Sequence, residues 1–365
     1  MNSAAGKSGT ADEATDSLAT AGKSAEPATA GKQLDHHTDI RGNCALNSGY
    51  ADDHACIPAP DPAEGFQIHI GPTNYDDPDE VAKFIMHPGQ ETSECFTFQT
   101  PNDKKIFYQT SMLSGRAGTH HIISTMFGAD KGLETGTFGK CADQQSAIGS
   151  LPGASKPFME RGTVAPEYAH VGRSIPAHAL GQADMHYFNF TDKDILREVW
   201  LNIYYVDEKE ITEESTLIVG FGGVGWTQKP IQPGTDMVYK YACPVKGNGS
   251  VLALLGHYHS HGRRFTASIQ RAGGGIEKVF QMFDYQEPAM FEYNSVVTNP
   301  TFVDGSPGAV SGRLDLHDGD TMLWECHIIN DSDVGLTYTN YVKTGEMCNL
   351  WGVTIGVQQL RCYLP

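Results

Sequence analysis

Three histidines alternate with other residues in LLGHYHSHGRRF: His257, His259 and His261. In an extended strand, residues two apart share a face. Two imidazoles placed this way can chelate one ion with little rearrangement of the chain, and imidazole serves copper, zinc, iron or nickel alike. A polar strand face would display the same pattern without any metal.

A second pair, His120 and His121, opens the apolar run IISTMFG. Adjacent side chains on a regular strand point to opposite faces, so this pair can meet one ion only at a strand end, a twist or a bulge. His186, in ADMHYFNF, stands alone, and by itself such a residue reads as structural. Met347, in GEMCNLWG, likewise reads as a core side chain, although its thioether is a soft ligand suited to Cu(I). His36 and His37 lie in a polar tail and read as inert.

These groups occur in the order His-His, His-Tyr, His-x-His-x-x-Gly and Glu-Met-Cys-Asn-Leu, and the series resembles the copper type II, ascorbate-dependent monooxygenases. The family includes peptidylglycine α-hydroxylating monooxygenase and dopamine β-monooxygenase, and the resemblance spans roughly residues 90 to 365. It implies two copper ions: one on His120, His121 and His186, the electron-transferring site, and one on His257, His259 and Met347, where oxygen and substrate react. Ascorbate or another one-electron reductant is the implied co-substrate. Gly262 falls three positions after His259, as the motif requires, which leaves His261 as a neighbour of the ligands. The resemblance also implies the disulfides Cys95–Cys141, Cys243–Cys362 and Cys326–Cys348, whereas Cys44–Cys56 has no counterpart and is expected from its local spacing alone.

The match departs from the peptide-processing enzyme at Leu255, where that enzyme carries an arginine for the peptide carboxylate. Asn349 matches a substrate-contacting asparagine, and Trp351 replaces a tyrosine. Tyr285, Phe291 and Tyr293 are further candidates for the pocket wall, and Glu346 and Asp184, beside proposed ligands, for support of those ligands. The expected function is hydroxylation of a C–H bond in a small or peptide-derived substrate. The alternatives are a non-catalytic copper protein for storage, delivery or sensing, a zinc hydrolase, and a metal-free β-sandwich adhesin.

Such ligands need rigid strands to hold them. FQIHIG, KIFYQTSML, EVWLNIYYV, STLIVGFGG and DTMLWECHII are short β-type runs between turn residues, and long helical patterns are scarce. The expectation is an all-β chain of two tandem antiparallel β-sandwich, jelly-roll-like domains. A flexible tether covers 1–40, a disulfide-bonded extension 41–65, the first copper domain 66–193 and the second 194–365. Ala272 to Gly275 supplies a hairpin turn between RRFTASIQR and IEKVFQMFDY. Gly220, Gly222 and Gly225 satisfy G-x-G-x-x-G, yet TQKPIQPG follows, with prolines where a nucleotide-binding helix would begin.

Composition narrows the setting. The 365 residues carry 26 basic and 44 acidic side chains, a net charge of -18 that disfavours a phosphate backbone as partner, so no nucleic acid is expected. No apolar run approaches the ~20 residues of a membrane span. Eight cysteines without a C-x-x-C pair fit disulfides in an oxidising compartment, secreted, periplasmic or outer-surface. No secretory signal is seen, so that expectation supposes one removed by processing, and the tail is read as a tether to a possible lipid anchor.

Overall fold

Strand Thr321–Ile329 shows how this sequence makes sheet: Met322, Trp324, Cys326 and Ile328 are buried while the residues between them are half-exposed, a strict period of two. Trp324 also donates its indole N–H to the Cys348 carbonyl at 2.9 Å, so the largest core side chain is held at both its apolar and its polar ends. The computed structural model describes residues 41–128, 131–142, 147–150, 158–161, 166–285, 290–293, 313–342, 344–358 and 360–364. The tail over 1–40, with His36 and His37, lies outside them.

The chain is all-β, and its sheets form two clusters. In the first, a six-stranded sheet runs Gly65–Ile70, Val199–Val206, Ile106–Gly115, Val171–Ile175 and Glu213–Glu214, with Phe158–Arg161 also paired to Ile106–Gly115. It faces a five-stranded sheet ordered Thr137–Gly139, Glu91–Gln99, Leu180–Phe188, Thr119–Phe127 and Gly149–Ser150. Between them lies a core that includes Phe66, Phe98, Leu113, Ile122, Met185 and Leu201.

The second cluster has a six-stranded sheet, Met290–Glu292, Gly249–His257, Cys348–Ile355, Thr216–Gly222 and Leu360–Leu364, with Leu314–Leu316 on Gly249–His257. Its partner is a four-stranded sheet, Asp236–Pro244, Thr321–Ile329, Gly262–Gln270 and Ile276–Met282. Their shared core includes Leu254, Phe265, Phe280, Trp324 and Leu350. Both clusters belong to one compact unit, Asp39–Pro365.

The division between clusters falls later than the boundary expected after residue 193. Val199–Val206 pairs with both Gly65–Ile70 and Ile106–Gly115, so it belongs to the first sandwich, and the second begins with Thr216–Gly222. The polar segment at 191–193 is instead a turn built on Asn189, whose side chain bonds the Met86 and Lys193 carbonyls. A polar turn inside a domain and a linker between domains have the same composition.

Cys44–Cys56, Cys95–Cys141, Cys243–Cys362 and Cys326–Cys348 are all bonded. The Arg271 N–H bonds the Gly275 carbonyl and closes the expected hairpin, with Gly274 at a φ of 99° that suits glycine. The G-x-G-x-x-G run is β-structure: a Cβ on Gly220 would meet the Trp324 ring at 2.7 Å, so its glycine permits close packing against the core. Among the described residues no helix is long and apolar enough to cross a membrane.

A buried polar network braces the first sandwich. Arg116 donates from Nε to Glu198 Oε2 at 2.6 Å and from Nη2 to Asp53 Oδ1 at 2.9 Å, while Glu198 also meets His69 at 2.7 Å and the Tyr75 hydroxyl. The backbone of the same two residues reaches the next layer: the Arg116 carbonyl accepts from Thr119 Oγ1 and the Glu198 carbonyl from Tyr187 Oη. Thr119 precedes His120, and Tyr187 follows His186.

Candidate functional site

Leu180–Phe188 is the central strand of its sheet, paired with Glu91–Gln99 on one side and Thr119–Phe127 on the other. His186 faces His121 in register, but the next pair is Tyr187 with Thr119, which leaves His120 as the extra residue of a β-bulge. A bulge removes the strict alternation of faces. His120 and His121 therefore both approach His186, with ring centroids 5.1 and 4.9 Å from it.

The second histidine group comes from the other sandwich. His257 is the last residue of its strand, and His259 lies in the connection before Gly262–Gln270. Their approach thus depends on the strand ending between them, where a shared face on a regular strand had been expected. The two rings are 5.1 Å apart. The structure brings both groups into one cluster: His257 is 5.4 Å from His121 and 6.3 Å from His120, and His259 is 6.3 Å from His120.

The cluster is buried and its imidazoles are neutral. His186 and His259 are fully covered, and His121 and His257 nearly so. Burial, reinforced by neighbouring imidazoles, holds His121, His186 and His257 well below the ordinary histidine range. Burial lowers His120 to about 4, and His259 falls to about 3 through burial and the nearby His120. Nε2 of His120, His257 and His259 and Nδ1 of His121 are buried without a hydrogen-bond partner. An unpaired buried nitrogen costs about 1–3 kcal/mol, so four in one cluster are a local concentration of unsatisfied polar atoms.

Contacts with acceptors fix the tautomers of His259 and His186. His259 Nδ1 lies 3.2 Å from the Gly345 carbonyl, which can only accept, so Nδ1 carries the proton and Nε2 keeps its lone pair. His186 Nε2 lies 3.0 Å from Glu91 Oε1, and its Nδ1 is 3.3 Å from His121 Nε2. Phe188 covers the cluster, 5.2 Å from His120 and 4.7 Å from His186.

Met347 is buried immediately before Cys348–Ile355. Its Sδ accepts from Asn349 Nδ2 at 3.4 Å, and Asn349 is the register partner of His257. Glu346, fully buried, organises this end of the sheet: its carboxylate accepts the backbone N–H groups of His259 at 2.5 Å, Met347 at 2.8 Å and His261 at 3.2 Å. Burial pushes Glu346 up to about 7 against these three donors and the Gly262 N–H.

His261 turns away from the cluster, with Nδ1 3.0 Å from Asp331 Oδ1. Asp184 is buried and bonds Ser93 and Asn340 rather than a histidine. Its carboxylate also lies beside Cys95 and Cys141, within 4.8 Å, but disulfide sulfurs carry no thiolate and make that trio a poor metal site. Leu255 pairs with Trp351 on the sheet face that carries His257 and Asn349, and Trp351 meets Phe221 edge-on at 5.2 Å.

The remaining aromatic candidates belong to the core. Phe291 meets Phe280 edge-on at 5.1 Å, Tyr293 is buried with its hydroxyl on the Val279 carbonyl, and Tyr285 packs on the same cluster. Phe291 is opposite Leu254, a core-facing residue, and that parity turns it inward. Sequence patterns had not singled out Glu91, Ser260, Asn340 or Phe188. Their positions follow from pairings between distant segments.

No protein-family model matches this sequence, and a search of curated proteins finds no match. Among solved structures, the chain is similar to PNGase F, a glycosylasparaginase from Flavobacterium meningosepticum, at 10% identity and a TM-score of 0.33, over 81% of this chain and 97% of that one. It is also similar to the major capsid protein P2 of bacteriophage PM2, at 7% identity and a TM-score of 0.31, over 80% and 98%. Likeness at this level carries no argument about activity.

Proposed function

We propose that this chain is a two-copper monooxygenase that hydroxylates a C–H bond of a small or peptide-derived organic substrate, using oxygen and an external reductant such as ascorbate. The observation that carries the reading is the set of four partnerless, buried imidazole nitrogens on neutral histidines, with the buried Met347 tied to His259 through the Glu346 carboxylate. Neutral imidazole and thioether are the donor types that suit copper, and the thioether favours Cu(I) over harder ions. His120, His121 and His186 would hold one ion, and His257, His259 and Met347 the other. Copper held there would supply one-electron exchange.

The chain's own residues do the positioning. Glu346 ties the backbone of His259 to that of Met347, so the two ligand segments are held by one carboxylate. Asn349 orients the thioether, and Tyr338 Oη holds Asn349 in turn at 3.1 Å. Leu255 and Trp351 offer substrate an apolar, aromatic wall with no cation for a carboxylate. Peptides ending in glycine are therefore expected to be poor substrates, and efficient turnover of one would refute this part of the reading.

Metal analysis with X-ray absorption on the reduced protein tests the proposal. The native chain should hold two coppers, and Met347→Ile should lose one sulfur scatterer. One zinc per chain, or an unchanged sulfur signal, would overturn it. Two coppers without oxygen consumption on any C–H donor would indicate copper storage, delivery or sensing instead.

A further inference from the structure

We propose that Glu91 is a positioning residue that holds His186 as its Nε2–H tautomer, orients His121 through it, and ties the two histidine groups together through the backbone of Val342. The metal-binding part of this inference rests on the reading above; the part concerning His186 does not.

Glu91 opens strand Glu91–Gln99 opposite Phe188, two residues along from the Ser93–His186 pair. Its Oε1 is 3.0 Å from His186 Nε2 and also accepts the Val342 N–H at 3.3 Å. A carboxylate accepts only, so Nε2 carries the imidazole proton and Nδ1 keeps its lone pair, which accepts from His121 Nε2 at 3.3 Å; the partnerless donor atom of that pair is then His121 Nδ1. Carboxylate support of a ligand histidine fixes its ring and raises its basicity.

Val342 extends the link. It lies in the segment that leads into Glu346 and Met347, and its carbonyl accepts from Ser260 Oγ at 3.1 Å. Ser260 sits between His259 and His261. A continuous series, His186 to Glu91 to Val342 to Ser260, therefore runs from one sandwich to the other. Two residues earlier, Asn340 Nδ2 bonds Ser93 Oγ at 2.5 Å and Asp184 Oδ2 at 3.1 Å. The same segment is thus fastened at a second point to the two strands that carry Glu91 and His186.

Long-range proton–nitrogen correlation on metal-free, 15N-histidine-labelled protein reads the tautomer directly. His186 should be protonated at Nε2 in the native chain, in Glu91→Gln, which keeps an acceptor, and in Ser260→Ala, which leaves the Glu91 contact intact. Glu91→Ala should lose that preference. Competition with a Cu(I) chelator should then show Glu91→Ala binding copper about 10–100-fold more weakly than native, with Glu91→Gln close to native. Protonation at Nδ1 in the native chain, a tautomer indifferent to Glu91→Ala, native copper affinity in Glu91→Ala, or Glu91→Gln behaving as Glu91→Ala would each overturn the proposal. A native chain that takes up no Cu(I), while its His186 tautomer still follows residue 91, would sink the copper reading and leave the positioning of His186 standing.

Discussion

Replacing Arg116 by methionine isolates the electrostatic part of the brace beneath the first histidine group. Methionine keeps most of the side-chain volume, so little cavity is made, but it removes the guanidinium bonded to Glu198, whose side chain is 0% exposed. His69 and the Tyr75 hydroxyl remain as partners of that carboxylate, which limits the loss. Breaking a buried pair from one side costs about 3–5 kcal/mol, because an uncompensated charge stays behind. Arg116→Met is therefore expected to cost about 4 kcal/mol in urea unfolding followed by tryptophan fluorescence. Adding Glu198→Gln removes the stranded charge while keeping a carbonyl for His69 and Tyr75, so the double variant should recover at least half of the loss. A single-variant cost under about 1 kcal/mol, or a double variant less stable than the single, would refute the reasoning.

Three further outcomes follow from the same structure. Cys326 and Cys348 close a loop of 22 residues, so the paired alanine variant should lose about 3 kcal/mol of stability in the same unfolding assay, and an unchanged midpoint would contradict that. Asp320 is raised by burial but lowered more by the His317 and Ala272 N–H groups and the Arg271 guanidinium, so it lies below the ordinary carboxylate range when folded. Its contribution is present above the unfolded value near 4 and disappears as pH falls through the folded one; Asp320→Asn should thus flatten the stability profile between about pH 5 and 2, as acid titration of unfolding would reveal. Gly220→Ala should cost about 1–3 kcal/mol in thermal unfolding, because the added methyl meets a Trp324 ring that its bond to Cys348 holds in place.

The fold was legible where periodicity acts locally. Thr321–Ile329 alternates so strictly that its buried face can be read from the sequence, and the Ala272–Gly275 hairpin depends only on its neighbours. The domain division was not legible, because 191–193 differs from a linker only in what Asn189 and the pairing of Val199–Val206 do with it. The aromatic candidates could not be separated from core residues for a related reason. Phe291 and Tyr293 have the composition of a pocket wall, and only the register against Gly249–His257 and the core bonding of Tyr293 show which way they face.

The histidines divide along the same line. His257 and His259 are near one another because they are two residues apart, and their spacing announces it. His120 and His121 need a bulge that spacing can require but cannot reveal, and the unopposed position of His120 across from the His186–Tyr187 step supplies it. His186 depends entirely on its sheet partners. What no local pattern contains is the contact between the two groups, since His121 and His257 come within 5.4 Å only once two separate sandwiches have packed. Crowding by other rings also limits what each imidazole can bond: His186 and His121 meet through one pair of nitrogens, while four other ring nitrogens are left without a partner. Residues such as Glu91 and Glu346 then matter by deciding which nitrogen of each ring, and which turn of each segment, is left facing inward.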